Sequence, residues 1–552
     1  MRSELVRALC VTAVGTAVLA SSAGRGAVPV FFPDDPIWVD DDRALDATGV
    51  EPIEGSNAYD FAEHTFIKPG DRRDLRAVNV NTVDEVPDSS WFTNRIGRGP
   101  LTIEALVRAQ NTHEVTSIDG WPVVEGKSSG VTPGYRVMSP DGRLHQVKLD
   151  PPAHPEMASG AEMIGSAIYH AIGYNVVEGY IVDVDPEAIV VAPTATTVDL
   201  AGRLRPMTHD DVLAILDRGA RQPDGKYRVT LSRFADGIPM GHFRYSGTRP
   251  DDPNDIHPHE HRRELRGSRV FAAWVNHDDS RGLNSLAVLD GLDGRRYVKH
   301  YMFDFGSILG SGSTQAQSPR AGNEYILEWG PALKTLATFG LWVRPWIRVA
   351  YREDIRAIGR FESDFFDPEA WRPEYPNPAF DNMRADDAFW AARIVSRFSD
   401  EAIRAIVGRA RYSEPGAAEH VADTLIARRD KVLRTWLTGV NPLAEAALSP
   451  QGSLSFENAA VVSGVASAVT EYRLTWSRFD NVTGETAGEP VVTTSRTAET
   501  PVPVSILQTA SYVAVDVSTV HPDYPNWGSP VRFTFRREGA DWRTVGVDRA
   551  VY

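Results

Sequence analysis

Residues 276–306 hold Asn276-His277-Asp278-Asp279-Ser280-Arg281-Gly282-Leu283-Asn284, an alternating stretch at 286–303, and then Asp304-Phe305-Gly306. Two short polar pieces joined by a hairpin-like spacer bring a distinctive set of groups within reach of one another. They could supply a carboxylate for an acceptor hydroxyl, a cation for a group in transit and oxygen ligands for magnesium. Together these are the parts that phosphoryl transfer requires.

Working outward, 144–149 alternates as a strand, and Ser139-Pro140-Asp141-Gly142 before it is a turn sequence joining it to a strand at 135–138. The alternation places Lys148 on the face opposite Val147 and Leu149, where a cleft cation would stand. Residues 155–172 follow with helical spacing of Met163, Ile164, Ala167, Ile168, Ala171 and Ile172, ended by Gly173. Glu162 sits beside that stripe and is the preferred partner for Lys148; Glu156, near the helix start, is the second choice, or a residue that favours the helix dipole. Upstream lies Gly126-Lys127-Ser128-Ser129-Gly130-Val131-Thr132-Pro133-Gly134. Its glycines permit close backbone approach to phosphate, although it is neither a G-x-G-x-x-G nor a Walker loop and is equally compatible with a plain surface loop.

His277, Asp279, Arg281 and Asn284 fall at the offsets H-x-D-x-[KR]-x-x-N, Asp304-Phe305-Gly306 is a D-F-G, and Gln146-Val147-Lys148-Leu149 looks like V-A-I-K. On these residues the chain resembles the protein-kinase-like superfamily over roughly 128–443. The A-P-E triplet is absent after the Gly/Ser-rich loop 307–318, so the resemblance is to an atypical branch, akin to bacterial toxin, spore-coat and secreted kinases. It implies an α+β, two-lobed fold and ATP with Mg2+ or Mn2+. In that scheme Lys148 holds the α/β-phosphates with Glu162 as its ion-pair partner, and Ser129, Gly130 and Gly134 contribute to the nucleotide loop. Asp279 and Arg281 act on the transferred group, and Asn284 and Asp304 hold the metal. Ala235-Asp236-Gly237-Ile238-Pro239, after a strand at 227–234, resembles the lobe connection that holds adenine, or is an ordinary hairpin.

The wider composition limits the alternatives. With 552 residues, 42% hydrophobic and 24% charged, the chain has room for several domains of ordinary globular composition. A net charge of -16 argues against nucleic acid or an anionic membrane as the main partner. Residues 1–27 have the form of an export signal: Arg2 and Arg7, an apolar run at 8–20, and small residues Ser21-Ser22-Ala23 at a cleavage site. The run is short for a permanent anchor, and nothing later is apolar enough to span a bilayer. The only cysteine, Cys10, lies in this segment, so the mature periplasmic or extracellular chain would lack disulfides.

The expected division is a signal peptide at 1–27, an acidic extended arm at 28–120 docked by Trp91 and Phe92, a small lobe at 121–235, a large helical lobe at 236–445 and a C-terminal β-sandwich-like domain at 446–552. Helical pattern is expected from 331 to 443. The cluster from Asp251 to His261 matches no metal signature; Asp255 or a neighbour capping a helix that carries Pro258 near its first turn is the preferred reading. The function expected is phosphoryl transfer from ATP to a protein, peptide or small-molecule acceptor, with nucleotidyl transfer left open. A catalytically inactive binding module of the cell envelope is the alternative, and a metal-dependent hydrolase is a weaker one.

Overall fold

The turn at Ser139–Gly142 closes as its sequence requires: the Ser139 N–H donates to the Arg143 carbonyl at 2.9 Å, and Gly142 takes φ 79°. A computed structural model of the chain describes residues 28–127, 130–199, 201–508 and 510–549. The expected signal segment, with Cys10, lies outside them. The fold is mixed α+β.

A seven-stranded sheet is built from β1 (Pro122–Gly126), β2 (Gly134–Met138), β3 (Leu144–Leu149), β4 (Gly179–Val184), β5 (Val190–Val198), β6 (Leu204–Pro206) and β7 (Tyr227–Arg233) in the order β4-β7-β3-β2-β1-β5-β6. β3 is central and antiparallel to both neighbours, with Lys148 opposite Gly134 on one side and Thr230 on the other. Its alternate residues His145, Val147 and Leu149 are buried, while Gln146 and Lys148 are half-buried on the other face. Val147 and Leu149 join Tyr135, Val182, Val229 and Leu231 in one hydrophobic cluster, whose burial supplies the non-directional drive that holds the sheet.

The helix Met157–Ile172 packs on the turn Phe305–Ser307, and Gly165 is what allows it. A Cβ there would lie 2.5 Å from Ile308 and 2.7 Å from Phe305. The helices Arg263–Val275, Ala385–Ser396, Asp400–Gly408 and Ala417–Trp436 share a separate, larger cluster. β8 (Ile238–Pro239), β9 (Ser285–Leu292) and β10 (Arg295–Met302) form a small sheet, with the β9–β10 hairpin in unbroken register from Ser285↔Met302 to Leu292↔Arg295.

Two antiparallel sheets close the chain: Leu443–Leu448, Ser453–Asn458 and Glu499–Pro501 in one; Glu471–Phe479, Thr486–Ser495, Tyr512–Val520, Val531–Glu538 and Asp541–Arg549 in the other. They bury a common cluster centred on Leu454, Leu474, Trp476, Val515 and Phe533. Trp527 is fully buried in the helical cluster and donates from Nε1 to the Thr438 carbonyl, with Tyr524 stacked on it at 4.5 Å, so these rings serve packing.

Two sequence expectations change. The helical pattern expected from 331 holds for Trp329–Ala337, but 338–377 contains only the 3-10 turn Pro345–Arg348. Asp255 does not cap a helix: its Oδ2 accepts from the Arg249 N–H at 2.6 Å and contacts His259 Nε2 at 2.7 Å, and Pro258 precedes a 3-10 turn, His259–His261. The helix that follows begins at Arg263, whose N–H donates to Asn79 Oδ1 at 2.8 Å. Asn79 belongs to the segment expected as an extended arm, which also carries the short helices Asn57–Ala62 and Ile103–Arg108. The arm docks by Trp91 and Phe92, as expected, with Trp91 stacked on His300 at 3.4 Å. It also sends Asp84 to the buried guanidinium of Arg263, at 2.6 Å, beside Asp386 at 2.9 Å and Asp387 at 3.0 Å.

Candidate active site

The helix Arg263–Val275 ends by delivering the Asn276–Asn284 loop, and its last carbonyls are capped from a distance. Arg428, itself buried, donates to the carbonyls of Trp274 at 2.8 Å and Ala273 at 2.6 Å. A cation at a helix C-terminus satisfies carbonyls that have no partner within the helix. Asn276 then takes the left-handed conformation, φ 52°, and is held at both ends of its amide, by Gln317 Oε1 at 3.0 Å and Trp371 Nε1 at 2.9 Å. His277 comes next, its Nδ1 3.0 Å from the Tyr169 hydroxyl and its ring 5.9 Å from Phe305. Burial pushes it down to about 4, so it is neutral at pH 7 and serves as a packing link between the loop and the Asp-Phe-Gly turn.

Asp279, Arg281, Asn284, Lys148, Glu162 and Asp304 all line one cleft of about 820 Å³, within the size range of small-molecule sites. Lys148 Nζ donates to Asp304 Oδ1 at 2.7 Å and lies 4.0 Å from Glu162 Oε2. Glu162 in turn accepts from the Gly306 N–H at 2.9 Å, so a single carboxylate touches both the strand lysine and the Asp-Phe-Gly turn. Burial opposes the charge on Lys148, but Asp304 and then Glu162 outweigh it and raise its pKa. Lys148 holds Asp304 below the usual carboxylate range. Burial raises Glu162, against the pull of Lys148. Asp304 stands at φ 66°, a left-handed conformation uncommon for a side chain larger than glycine and a form of strain frequent at functional sites.

Across the cleft, Arg281 reaches Asp279 Oδ1 at 2.8 Å and Glu374 at 2.7 Å. The first contact is electrostatic only, because neither Arg281 Nε nor Asp279 Oδ1 completes a hydrogen bond, and the buried carboxylate oxygen keeps an open acceptor position. Burial lifts Asp279 to about 7, with Arg281 pulling it back and Glu374 adding to the rise. A carboxylate poised near neutrality with an unfilled acceptor position has the properties of a general base. Asn284 donates from Nδ2 to the Asp279 carbonyl at 2.9 Å, which leaves its Oδ1 available as a ligand. One amide and one carboxylate make a sparse donor set, and among the described residues no group of three or more His, Cys, Asp or Glu is set to hold a metal. The pair fits an octahedral ion that brings polyphosphate oxygens and water as its other ligands.

The nucleotide-loop residues fall as follows. Gly130 lines the cleft; Gly134 pairs with Lys148 in the sheet, where a Cβ would meet the Val147 carbonyl at 2.1 Å; Ser129 lies outside the described residues. Ser232, Phe234 and Ala235, at the exit of β7, also line the cleft. Glu156 does not approach Lys148, since its side chain accepts from the Ser413 N–H at 2.7 Å and hydroxyl at 2.6 Å.

Several cleft residues carry no sequence signal. Glu374 lies about ninety positions from Arg281 in an unpatterned stretch. Asp278 has its carboxyl pushed up to about 8 by burial, then by Asp279, and accepts from Gln317 Nε2 at 2.6 Å. Lys127, within the glycine loop, also lines the cleft. Its Nζ donates to the Thr132 carbonyl at 2.7 Å, and burial with Lys148 nearby brings it down to about 8.

No family model matches the chain, and no curated protein matches it. Solved structures similar to it include one described as the Golgi casein kinase, at 9% identity and TM-score 0.28 over 57% of this chain and 72% of that one. Another is described as the Golgi casein kinase with Mn/ADP bound, at 8% identity and TM-score 0.28 over 60% of this chain and 73% of that one. A TM-score of 0.28 is too low to transfer anything from those proteins to this chain.

Proposed function

We propose that the protein is an exported, atypical kinase-like phosphotransferase that moves the terminal phosphoryl group of ATP to an acceptor hydroxyl. The observation that carries this reading is the meeting of Lys148, Glu162 and Asp304 with Asp279, Arg281 and Asn284 in one cleft. In this reading 121–235 acts as a small lobe and 236–445 as a large one, with the nucleotide between them. The adenine rests near Ser232 to Ala235, and Lys148 with Lys127 meets the phosphates. Asp279 takes the proton of the acceptor hydroxyl as its oxygen bonds to the γ-phosphorus; the bond from that phosphorus to the β–γ bridging oxygen breaks, and ADP leaves. Arg281 lies beside Asp279 and steadies negative charge on the group in transit. Magnesium or manganese, held by Asn284 and Asp304, would neutralise the polyphosphate and orient it in line. The C-terminal sheets at 446–549 serve as a packed appendage or a binding surface.

One observation favours a second reading, an inactive binding module of the cell envelope: Lys148 lies nearer Asp304 than Glu162, so Asp304 must release it to serve a metal. Calorimetry of ATP with Mg2+ or Mn2+, beside transfer from labelled ATP, separates the two. Asp304→Ala should abolish metal-dependent nucleotide binding, whereas Asp279→Ala should keep binding and lose turnover. Wild-type protein that binds no nucleotide would defeat the kinase reading and leave the binding module.

A further inference from the structure

Among the described residues five cations line the cleft: Lys127, Lys148, Arg233, Arg281 and Arg320. Three are matched by carboxylates. Lys148 lies against Asp304, Arg233 against Glu178 at 2.6 Å and Asp236 at 2.7 Å, and Arg281 against Asp279 and Glu374. Lys127 and Arg320 have no carboxylate partner among the described residues; each donates instead to a backbone carbonyl. Lys127 belongs to the glycine loop beside Lys148, at the end of the cleft assigned to the phosphates. Arg320 stands elsewhere and has no role there.

A backbone strip sets its position. Gly322 bridges Arg372, the Ile326 N–H donates to the Glu374 carbonyl at 2.8 Å, and the Glu374 N–H donates to the Asp278 carbonyl at 2.7 Å. Arg320 is therefore on the side of the cleft where Asp279 and Arg281 meet Glu374, and its charge reaches Asp278. It is also anchored. Its N–H donates to Ser318 Oγ at 3.3 Å, its carbonyl accepts from the Asn323 N–H at 2.9 Å and the Glu324 N–H at 3.2 Å, and its Nη1 donates to the Glu324 carbonyl at 2.7 Å. The Glu324 carboxylate does not turn back to it, being taken by Arg344 Nε at 2.8 Å and Trp346 Nε1 at 3.0 Å. Nε and Nη2 of Arg320 are left without a partner among the described residues. Their N–H groups lie parallel on one edge of the guanidinium, the edge that takes a carboxylate or phosphate side-on through two bonds. Arg320 is half-buried, so this edge is held in the cleft wall.

We propose that Arg320 recognises the acceptor: the molecule whose hydroxyl meets Asp279 also carries an isolated anionic group, a carboxylate or phosphate, which takes the open edge of this guanidinium. This assignment rests on the phosphotransferase reading of the cleft. The surroundings admit one anionic group and not a chain of them. A polyanion is repelled by a protein of net charge -16 as a whole, whereas an isolated charge responds to groups within a screening length of about 8 Å. Of the two guanidiniums on this side of the cleft, Arg281 is engaged by Glu374 and Arg320 is open.

Calorimetry on the full chain, at millimolar glycerate, glycerol 3-phosphate or glycerol, tests this with three hydroxyl compounds that differ in their anionic group. Each is titrated with and without Mg2+ and a non-hydrolysable ATP analogue, which when bound occupies Lys127 and Lys148. Glycerate and glycerol 3-phosphate should bind and glycerol should not, and the tighter of the two anions tells carboxylate from phosphate. Arg320→Gln should weaken both by about tenfold or more, the loss of a charge-assisted pair of hydrogen bonds, with the analogue affinity and the melting temperature unchanged. Arg320→Lys keeps the charge without the parallel edge and should recover part of the affinity. Lys127→Gln should weaken the analogue and spare the anions. Failure of both anions to bind, glycerol binding as well as they do, or a loss in Arg320→Gln no larger than in Lys127→Gln would overturn the proposal; nucleotide binding alongside any of these leaves the phosphotransferase reading intact. Anions bound through Arg320 by a protein that takes no nucleotide would uphold the anion subsite and defeat that reading instead.

Discussion

Asp278 is buried and its neighbour Asp279 half-buried, and only one of them is assigned to chemistry, so replacing each by asparagine tests the assignment. Burial lifts the Asp278 carboxyl from its ordinary 3.8 to about 8. Between those values the folded state holds a proton that the unfolded chain has shed, and stability therefore falls as pH rises through the window. At about 1.4 kcal/mol per pH unit, the cost of keeping Asp278 protonated is of order 4 kcal/mol at pH 7 and under about 2 kcal/mol at pH 5. Asp278→Asn keeps the acceptor oxygen that Gln317 uses and removes the titration. The variant should melt above wild type, by a margin that widens from pH 5 to pH 7 by roughly a few °C. Its nucleotide affinity and turnover should stay close to wild type. Melting curves by calorimetry at half-unit pH steps give the result. A margin that does not change with pH, or an Asp278→Asn protein as inactive as Asp279→Asn, would refute the division of roles.

Because Asp279 must be ionised to accept a proton and sits at about 7, kcat/KM for transfer should fall on the acid side of pH 7. Arg281→Gln should move that limb to higher pH, since the guanidinium holds the carboxyl down; a pH–rate profile with no limb between 6 and 8 would contradict this. Glu162→Gln keeps an acceptor for the Gly306 N–H but leaves Lys148 to Asp304 alone. Calorimetry should find ATP affinity lowered about tenfold, the equivalent of about 1.4 kcal/mol, and unchanged affinity would remove Glu162 from the site. Arg263→Leu removes the closest cation of Asp84, Asp386 and Asp387, leaving them the longer contacts of Arg76, Arg549 and Arg266, and breaking such a buried network costs about 3–5 kcal/mol. A melting temperature equal to that of wild type would show that the arm is not fastened there.

The parts of the site that could be read in the sequence are those defined over a few residues. Alternation around Lys148, helical spacing around Glu162 and the offsets of Asp279, Arg281 and Asn284 all report local geometry, and the structure places these residues in one cleft. What escaped detection depends on partners far away in the chain. Asn79 satisfies the start of the helix that Asp255 was expected to cap, Arg428 satisfies its end, and Glu374 completes the charge pattern at Arg281. A polar residue that pairs across 93 to 184 positions leaves no periodicity. The irregular run at 338–377 was misread for a related reason: its apolar residues are dense enough to suggest helices, but Pro345 and the turn at Phe339 and Gly340 divide it.

The N-terminal arm has a consequence for how the molecule is made. Arg549, buried near the end of the described chain, contacts Asp84 at 3.3 Å and donates to the Asn441 carbonyl at 3.0 Å, while the Phe31 N–H donates to Asn481 at 2.8 Å. Segments synthesised first are thus completed by segments synthesised last, over separations above 400 residues. Closing loops of that length precedes the contacts that reward it, which slows folding and lengthens the life of incomplete states. Asp84 meets Arg549 only once residues up to 549 have left the ribosome, so this part of the native structure forms late.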